Sequence, residues 1–399
     1  MTIPALRPLE AFPVQDGTRQ VIALRDPSGI VTDVLAIAPE VYFVATHFDG
    51  KADAKTVAAS VSAQMKAKVS VEVVEKIAKL FGERLLLDDD AFRARDLAER
   101  EAFTRSPTRA PAHAGAAYPT DAEQLRHRLG GILACAWDQP RPEGRVTGLI
   151  APHIDLERGE MTYARSYATL RDCGPIDRVV ILGTSHGPTE SLLAPTRKAF
   201  ETPLGVTETD RDAVERVIES LGADAFRDEF AHRGEHSIEF QVLFLRLMHP
   251  ATKIVPLLCG SLRGLVEDGA DPAGNETVER AVKAVRAAIA SGNGKRTVVI
   301  AGADLAHIGP RFGGPKLTRE MLEETERGDR AALDAAAARD AAGWHRAVTE
   351  GGDPRNTCGL TPVYLMLRAL DAGEGQLVSY KQCTATDQCV SIGGMAFIA

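Results

Sequence analysis

The sequence predicts an α/β fold: a mostly parallel sheet covered by helices, preceded by a small α+β module. Three observations carry this. From Pro111 onward, short apolar runs alternate with segments of helical periodicity, the pattern of a sheet covered by helices. Four of those runs, at 146–151, 178–182, 253–258 and 297–301, are continuously hydrophobic, rich in β-branched residues and bounded by Gly or Pro, as doubly covered strands are. The chain has 399 residues, 44% hydrophobic and 26% charged, an ordinary globular composition with length for two or three domains.

Taken in order, residues 1–87 form the first module. Strands are expected at 20–24 and 34–37, separated by the turn-forming Asp26-Pro27-Ser28-Gly29. Helices are expected at 52–65 and 71–81, from the spacing of Val57, Val61 and Met65 and of Val74, Ile77 and Leu80. This pattern resembles small PqqD-like or winged-helix modules that bind peptides, and fits a plain packing domain equally well. Residues 88–110 read as a charged linker that carries an exposed helix and ends in Ser106-Pro107. In the domain at 111–399, helices are expected at 162–170, 211–221, 238–248, 276–290 and 362–369. The Ala-rich run around 331–342 reads as plain helix.

Bulk properties exclude several classes. A net charge of −8 argues against nonspecific nucleic-acid binding. No run of about 18 apolar residues suggests a membrane span, and the N-terminus lacks the basic and apolar segments of a signal peptide. Six cysteines are too sparse here for a disulfide framework. The expectation is a cytoplasmic protein with reduced thiols.

Chemistry gathers where the strands end. The first expected parallel strand runs into Ala151-Pro152-His153-Ile154-Asp155, the second into Gly183-Thr184-Ser185-His186, and the fourth into Gly302-Ala303-Asp304-Leu305-Ala306-His307. Parallel strands present their carboxyl ends at one rim, where ligands bind, so these remote residues can meet. Neutral imidazole is the commonest protein ligand for metals, and three histidines at corresponding strand ends are hard to attribute to packing. Sequence-local zinc patterns are absent. Cys358 precedes a helix with Pro362 in its first turn; the helix dipole there favours thiolate, while the bland alternative is a small buried hydrophobe. Glu235 and His236 precede another helix, with Ser237 as its expected N-cap and His236 suited to acid–base work. Asp304 is expected either to orient a metal-bound imidazole or to cap a helix; His307, to donate a proton or to bond a carbonyl. Cys259 reads as a packed thiol, and Cys383 with Cys389 as a weakly signalled redox pair.

In sequence order, Ala151-Pro152-His153, Leu182-Gly183-Thr184-Ser185-His186, Glu235-His236-Ser237-Ile238-Glu239, Asp304-Leu305-Ala306-His307 and Thr357-Cys358-Gly359 resemble the Memo family (mediator of cell motility). Its bacterial members are called AmmeMemoRadiSam system protein B. His113-Ala114-Gly115-Ala116-Ala117-Tyr118-Pro119 is similar to that family's opening. The resemblance covers 111–399 and leaves 1–110 outside. It implies a fold similar to the class III extradiol dioxygenases, whose non-haem iron sits at a strand-end cleft. It also implies His153, His186 and Cys358 as metal ligands, with Glu235, His236, Asp304 and His307 as catalytic pocket residues. Thr384, Thr386, Asp387 and Ser391 resemble the closing segment and are expected to line the cleft. After His153 this chain departs from the eukaryotic pattern, placing Asp155 and Arg158 near the cleft.

Iron(II) is the first choice through the dioxygenase likeness, copper suits the thiolate, and zinc remains open. The function implied is redox or oxygen-linked chemistry on an unidentified small molecule or peptide. The alternative is a non-catalytic metal- or peptide-binding protein that acts with a radical S-adenosylmethionine partner. The chain has no cluster-binding Cys-x-x-x-Cys-x-x-Cys of its own.

Overall fold

Strict alternation within the central strands decides the layering. In a strand, successive side chains point to opposite faces. In the strand Arg178–Thr184, Val180 and Leu182 enter one apolar core while Val179 and Ile181 enter another. The strand Thr297–Gly302 does the same, with Val299 and Ala301 against Val298 and Ile300. Each fully buried Val, Leu or Ile adds about 1.5–3 kcal/mol, so both faces need a helical cover.

The structure, a computed structural model, describes residues 2–17, 19–266, 270–292 and 294–399. The chain divides into two units, Met1–Arg105 and Ser106–Ala399. The first holds an antiparallel sheet in the order β1 (Glu10–Asp16), β2 (Arg19–Arg25), β3 (Leu35–Ile37). Helices α1 (Pro39–Ala45), α2 (Ala54–Met65), α3 (Val71–Glu83) and α4 (Asp90–Arg105) follow. Val57, Val61, Val74 and Ile77 form its core with Leu24 and Phe81, while Leu80 and Met65 pack partly buried against it. Strand β1 escapes the sequence pattern because Pro13 sits within it, as proline can on an edge strand. The stretch read as a linker is helix from residue 90 and belongs to the first unit, where the Arg7 guanidinium lies 3.5 Å over the Phe92 ring.

The second unit adds β4 (Thr108–Arg109), α5 (Ala122–Ala134), β5 (Val146–Ala151), α6 (Glu160–Ala168), β6 (Arg178–Thr184), β7 (Leu193–Pro195), β8 (Ala199–Thr202) and β9 (Gly205–Thr207). It continues with α7 (Arg211–Leu221), α8 (Glu239–Met248), β10 (Lys253–Cys259), α9 (Glu276–Ala290), β11 (Thr297–Gly302), β12 (His307–Ile308), α10 (Arg319–Ala337), α11 (Ala341–Thr349), α12 (Leu360–Ala369), β13 (Glu374–Thr384) and β14 (Cys389–Ile398). Strands β5, β11, β6 and β10 lie side by side and parallel, with Gly302 opposite both Gly183 and Ala151. This centre matches the sequence expectation. Its margins are antiparallel: β7 beside β10, β14 beside β5, β12 beside β14, and β13 outermost along β14. Helices α5, α6 and α8 cover one face; α7, α9, α10, α11 and α12 cover the other. Strands β4, β8 and β9 form a separate small sheet.

The Ala-rich run is not one helix. Arg339 takes a left-handed backbone conformation (φ 54°), and the Asp340 carboxylate caps α11 by accepting from Gly343 N at 2.8 Å. Alanine propensity yields to this local stop signal. Among the described residues no helix is long and apolar enough to cross a membrane.

Candidate metal centre

The parallel centre delivers its carboxyl ends to one rim. His153 follows β5 and is 2% exposed; its Nδ1 lies 2.8 Å from the Gly302 carbonyl at the end of neighbouring β11. A carbonyl can only accept, so Nδ1 carries a proton and Nε2 is the ring nitrogen left to meet an ion. Asp304, after β11, accepts from His153 N at 2.8 Å and Ile154 N at 3.3 Å. It therefore fixes the main chain of the histidine loop, and its second oxygen stands 3.8 Å from His153 Nε2. The helix-capping alternative for Asp304 does not occur; no helix begins there.

His186 follows β6. Its Nδ1 faces both oxygens of Glu235, at 3.0 and 3.1 Å, and its main-chain N donates to the same carboxylate at 2.8 Å. Glu235 also accepts from His236 N and Ser237 N, at 2.8 and 2.9 Å, and lies 3.2 Å from His236 Nδ1. Ser237 is not the N-cap of α8; its hydroxyl donates to the Thr184 carbonyl at 2.8 Å and ties the loop to the end of β6. Gly183 permits this crossing, since a Cβ there would sit 2.5 Å from Ile238 Cγ1. Behind the loop, the buried Glu239 carboxylate pairs with Arg109 and Tyr118 and accepts from His113 N at 3.0 Å.

Cys358 arrives on a loop with left-handed backbone at Gly351, Gly352, Asp353 and Asn356. Asp353 holds that geometry by accepting from Thr357 N at 3.1 Å and pairing with Arg263. The Cys358 sulfur lies 3.4 Å from His153 Nε2, and Gly359 N donates to the Asp304 carbonyl at 3.0 Å. A Cβ on Gly359 would strike that carbonyl at 2.5 Å, so glycine lets the thiol loop approach β11's exit. One donor atom each from His153, His186 and Cys358 lies within 4.8 Å of the others. The three ligands proposed from sequence are brought together.

Electrostatics suit a cation. Burial raises the Cys358 thiol pKa, but the His153 and His307 rings outweigh it and bring the value down to about 5. Burial lowers the His153 value, and the Asp304 and Cys358 charges overcome this, taking it to about 9. His236 goes the other way, to about 4, because burial outweighs the Glu235 charge. It is a neutral acceptor at ordinary pH. Its ring stacks on His186 with centroids 4.6 Å apart and meets His153 edge-on at 5.3 Å. His307 turns Nδ1 to the Leu305 carbonyl at 3.1 Å, the bland alternative weighed for it, and rests edge-on to Phe312. All four rings thus commit Nδ1 to an oxygen acceptor, and the Nε2 of His153 faces the Cys358 sulfur. Two imidazole nitrogens and a depressed-pKa thiol are a coherent borderline-soft donor set for iron, copper or zinc.

His186, Glu235 and His236 form a second group with donor atoms this close. Glu235 already serves two rings and three main-chain N–H groups, so this group is better described as one carboxylate anchoring two imidazoles.

Other residues singled out in the sequence have partners of their own. Ser391 is fully buried: its hydroxyl accepts from Ala306 N at 2.8 Å and donates to Asp329 at 2.5 Å, holding the Asp304–His307 loop from below. Thr384 donates to Cys389 Sγ at 3.6 Å. Cys383 and Cys389 are free thiols; Cys383 is opposite Val390 and Cys389 opposite Thr384, which turns the two sulfurs to opposite sheet faces. Cys259 is a buried core thiol whose pKa is pushed up by burial. Sequence reasoning missed His113, whose ring stands 5.5 Å from His236. Its place in the aromatic opening motif was the available signal. It also missed Asp329, which an ordinary helical pattern conceals.

A helix-covered sheet with two imidazoles and a thiol at the carboxyl ends of its parallel strands defines an α/β protein with a candidate single-ion site. Residues 109–396 match the family described as Memo-like protein, and the chain belongs to that family. A MEMO1 family protein of Methanopyrus kandleri is 30% identical over 286 residues, covering 68% of this chain and 91% of the relative. That of Aquifex aeolicus is 27% identical over 292 residues, 73% of each chain. The Thermus thermophilus relative is 28% identical over 311 residues, 77% of this chain and 87% of its own.

Proposed function

We propose that the second unit holds one metal ion between His153 Nε2, His186 Nε2 and Cys358 Sγ, and uses it for redox, dioxygenase-like chemistry on a small molecule or peptide. Iron(II) is the first choice, with copper or zinc as alternatives. The carrying observation is the shared orientation of the imidazoles: with each Nδ1 fixed, every free nitrogen is an Nε2. The bound ion would supply a Lewis-acidic, redox-active centre with positions open to substrate. The His186 side chain is 40% exposed, which leaves that approach free.

In this reading Asp304 and Glu235 are positioning residues, because their oxygens are spent on main-chain and ring N–H groups. His236, neutral and with Nε2 free, accepts a proton from substrate. His307, close enough to lower the Cys358 thiol pKa, relays protons. Asp155 and Arg158 pair with each other across an i,i+3 step, so the charge they bring after His153 is internally balanced.

The test is the metal content of protein purified without oxygen, followed by oxygen uptake with catechols or thiols. Stoichiometric iron and uptake abolished in His186→Ala support catalysis. Tight stoichiometric metal without uptake supports the alternative of a metal- or peptide-binding protein working with a radical S-adenosylmethionine partner. Absence of tight metal binding by the wild type would end both metal-dependent readings and leave only peptide binding.

A further inference from the structure

Helix α6 leads away from the cleft, and near its end the chain keeps an arginine with nothing to bind. Among the described residues, Arg165 makes no hydrogen bond, ion pair or ring contact, and its Nε is buried without an acceptor. Leaving a buried donor unsatisfied costs about 1–3 kcal/mol, more when it is charged. Arg165 lines a groove of about 360 Å³ bounded by the loop 139–142, the end of α6, and residues 376–378 of the outermost strand β13. Gln139 and Gln376 face the same groove, and neither side chain hydrogen-bonds among the described residues. Arg141 completes the polar wall; its Nη1 donates to the Arg171 carbonyl and lies 3.4 Å from Asp172, which leaves its other N–H groups for a ligand. Pro140, Pro142, Ala168 and Val378 supply apolar lining, with Thr169 beside them. Unbalanced arginine is unusual in a chain whose net charge is −8.

We propose that this groove binds a small molecule through a phosphate group, with Arg165 as its principal donor. A guanidinium presents a fork of N–H donors that matches oxyanions. A carboxylate would be satisfied by that fork alone. The further donors on Arg141, Gln139 and Gln376 fit a group with three terminal oxygens and nearly two negative charges. The apolar side chains then receive the body of the ligand. The site is separate from the metal centre and independent of the function proposed for it.

The experiment titrates the full-length protein with inorganic phosphate at ionic strength held constant with chloride. One saturable site is expected. Arg165→Gln should weaken it by at least about tenfold, the loss of roughly one charged hydrogen-bond partner. Arg165→Lys should retain part of the affinity, and Arg216→Gln, a surface change elsewhere, all of it. Because Arg165 bonds nothing in the free protein, Arg165→Gln should leave the unliganded melting temperature unchanged or raised, and metal content unaltered. A structural arginine would lower that melting temperature. The proposal is overturned if wild type shows no saturable phosphate binding, if Arg165→Gln binds equally well, or if acetate saturates the site and phosphate does not.

Discussion

The Glu235 carboxylate is shared among two imidazole N–H groups and the main-chain N–H groups of His186, His236 and Ser237. Substituting Gln replaces one oxygen with an NH2 group facing donors, so both rings lose a fixed tautomer. Outer partners of metal-bound histidine are worth about 10- to 100-fold in affinity. Glu235→Gln should weaken metal binding by that factor in a chelator competition, with the fold retained by circular dichroism. Affinity within twofold of wild type would remove Glu235 from this role. His232 provides a pH prediction away from the cleft. Its Nε2 donates to the Ala194 carbonyl at 2.9 Å and its Nδ1 is buried without a partner, so burial drives its pKa down to about 4. An unfolded histidine titrates near 6.5, so the unfolded state binds more protons between those values. Stability from neutral His232 is complete above pH 6.5 and is lost as pH falls, amounting to about 3 kcal/mol by pH 4. His232→Gln keeps the donor to Ala194 and should flatten melting temperature against pH over that window. Equal slopes for both proteins would refute the assignment.

At the scale of elements, legibility followed the continuity of the apolar run. Strands β5, β6, β10 and β11 are covered on both faces, so their apolar runs are continuous and readable. β13 is mostly exposed or half-buried, with Ser379 and Cys383 its buried positions, and β14, though buried along its length, is interrupted by Gly393-Gly394, which weakens strand propensity. Gly394 is nonetheless required, because a Cβ there would lie 2.3 Å from Ser166 Oγ on α6. Metal-ligand candidates were readable because each follows a strand or opens a helix; the partners that hold them, Gly302 O and Ser391, depend on register and leave no composition signal. The break between α10 and α11 is of the same kind. Asp340 is the N-cap of α11, and Asp340→Ala should cost about 0.5–2 kcal/mol in urea unfolding. No loss would mean that Arg339's left-handed backbone alone ends α10.

At the scale of the whole chain, the family match begins at residue 109 and the second unit at Ser106. Each unit owns an apolar core: Leu24, Val61, Val74 and Phe81 in the first, two cores on either face of the large sheet in the second. A chain segment with its own core can fold alone. All seven residues assigned to the metal cleft, from His153 to Cys358, fall in the second unit. We therefore predict that residues 106–399, expressed without the first unit, unfold cooperatively and bind metal with the stoichiometry and affinity of the full chain. Calorimetry of the full chain should then resolve two transitions, of which chelation lowers only one, the one the isolated second unit reproduces. If residues 106–399 fold, as judged by circular dichroism, yet fail to bind the ion, the centre depends on residues 1–105, and the unit boundary cannot be a functional one.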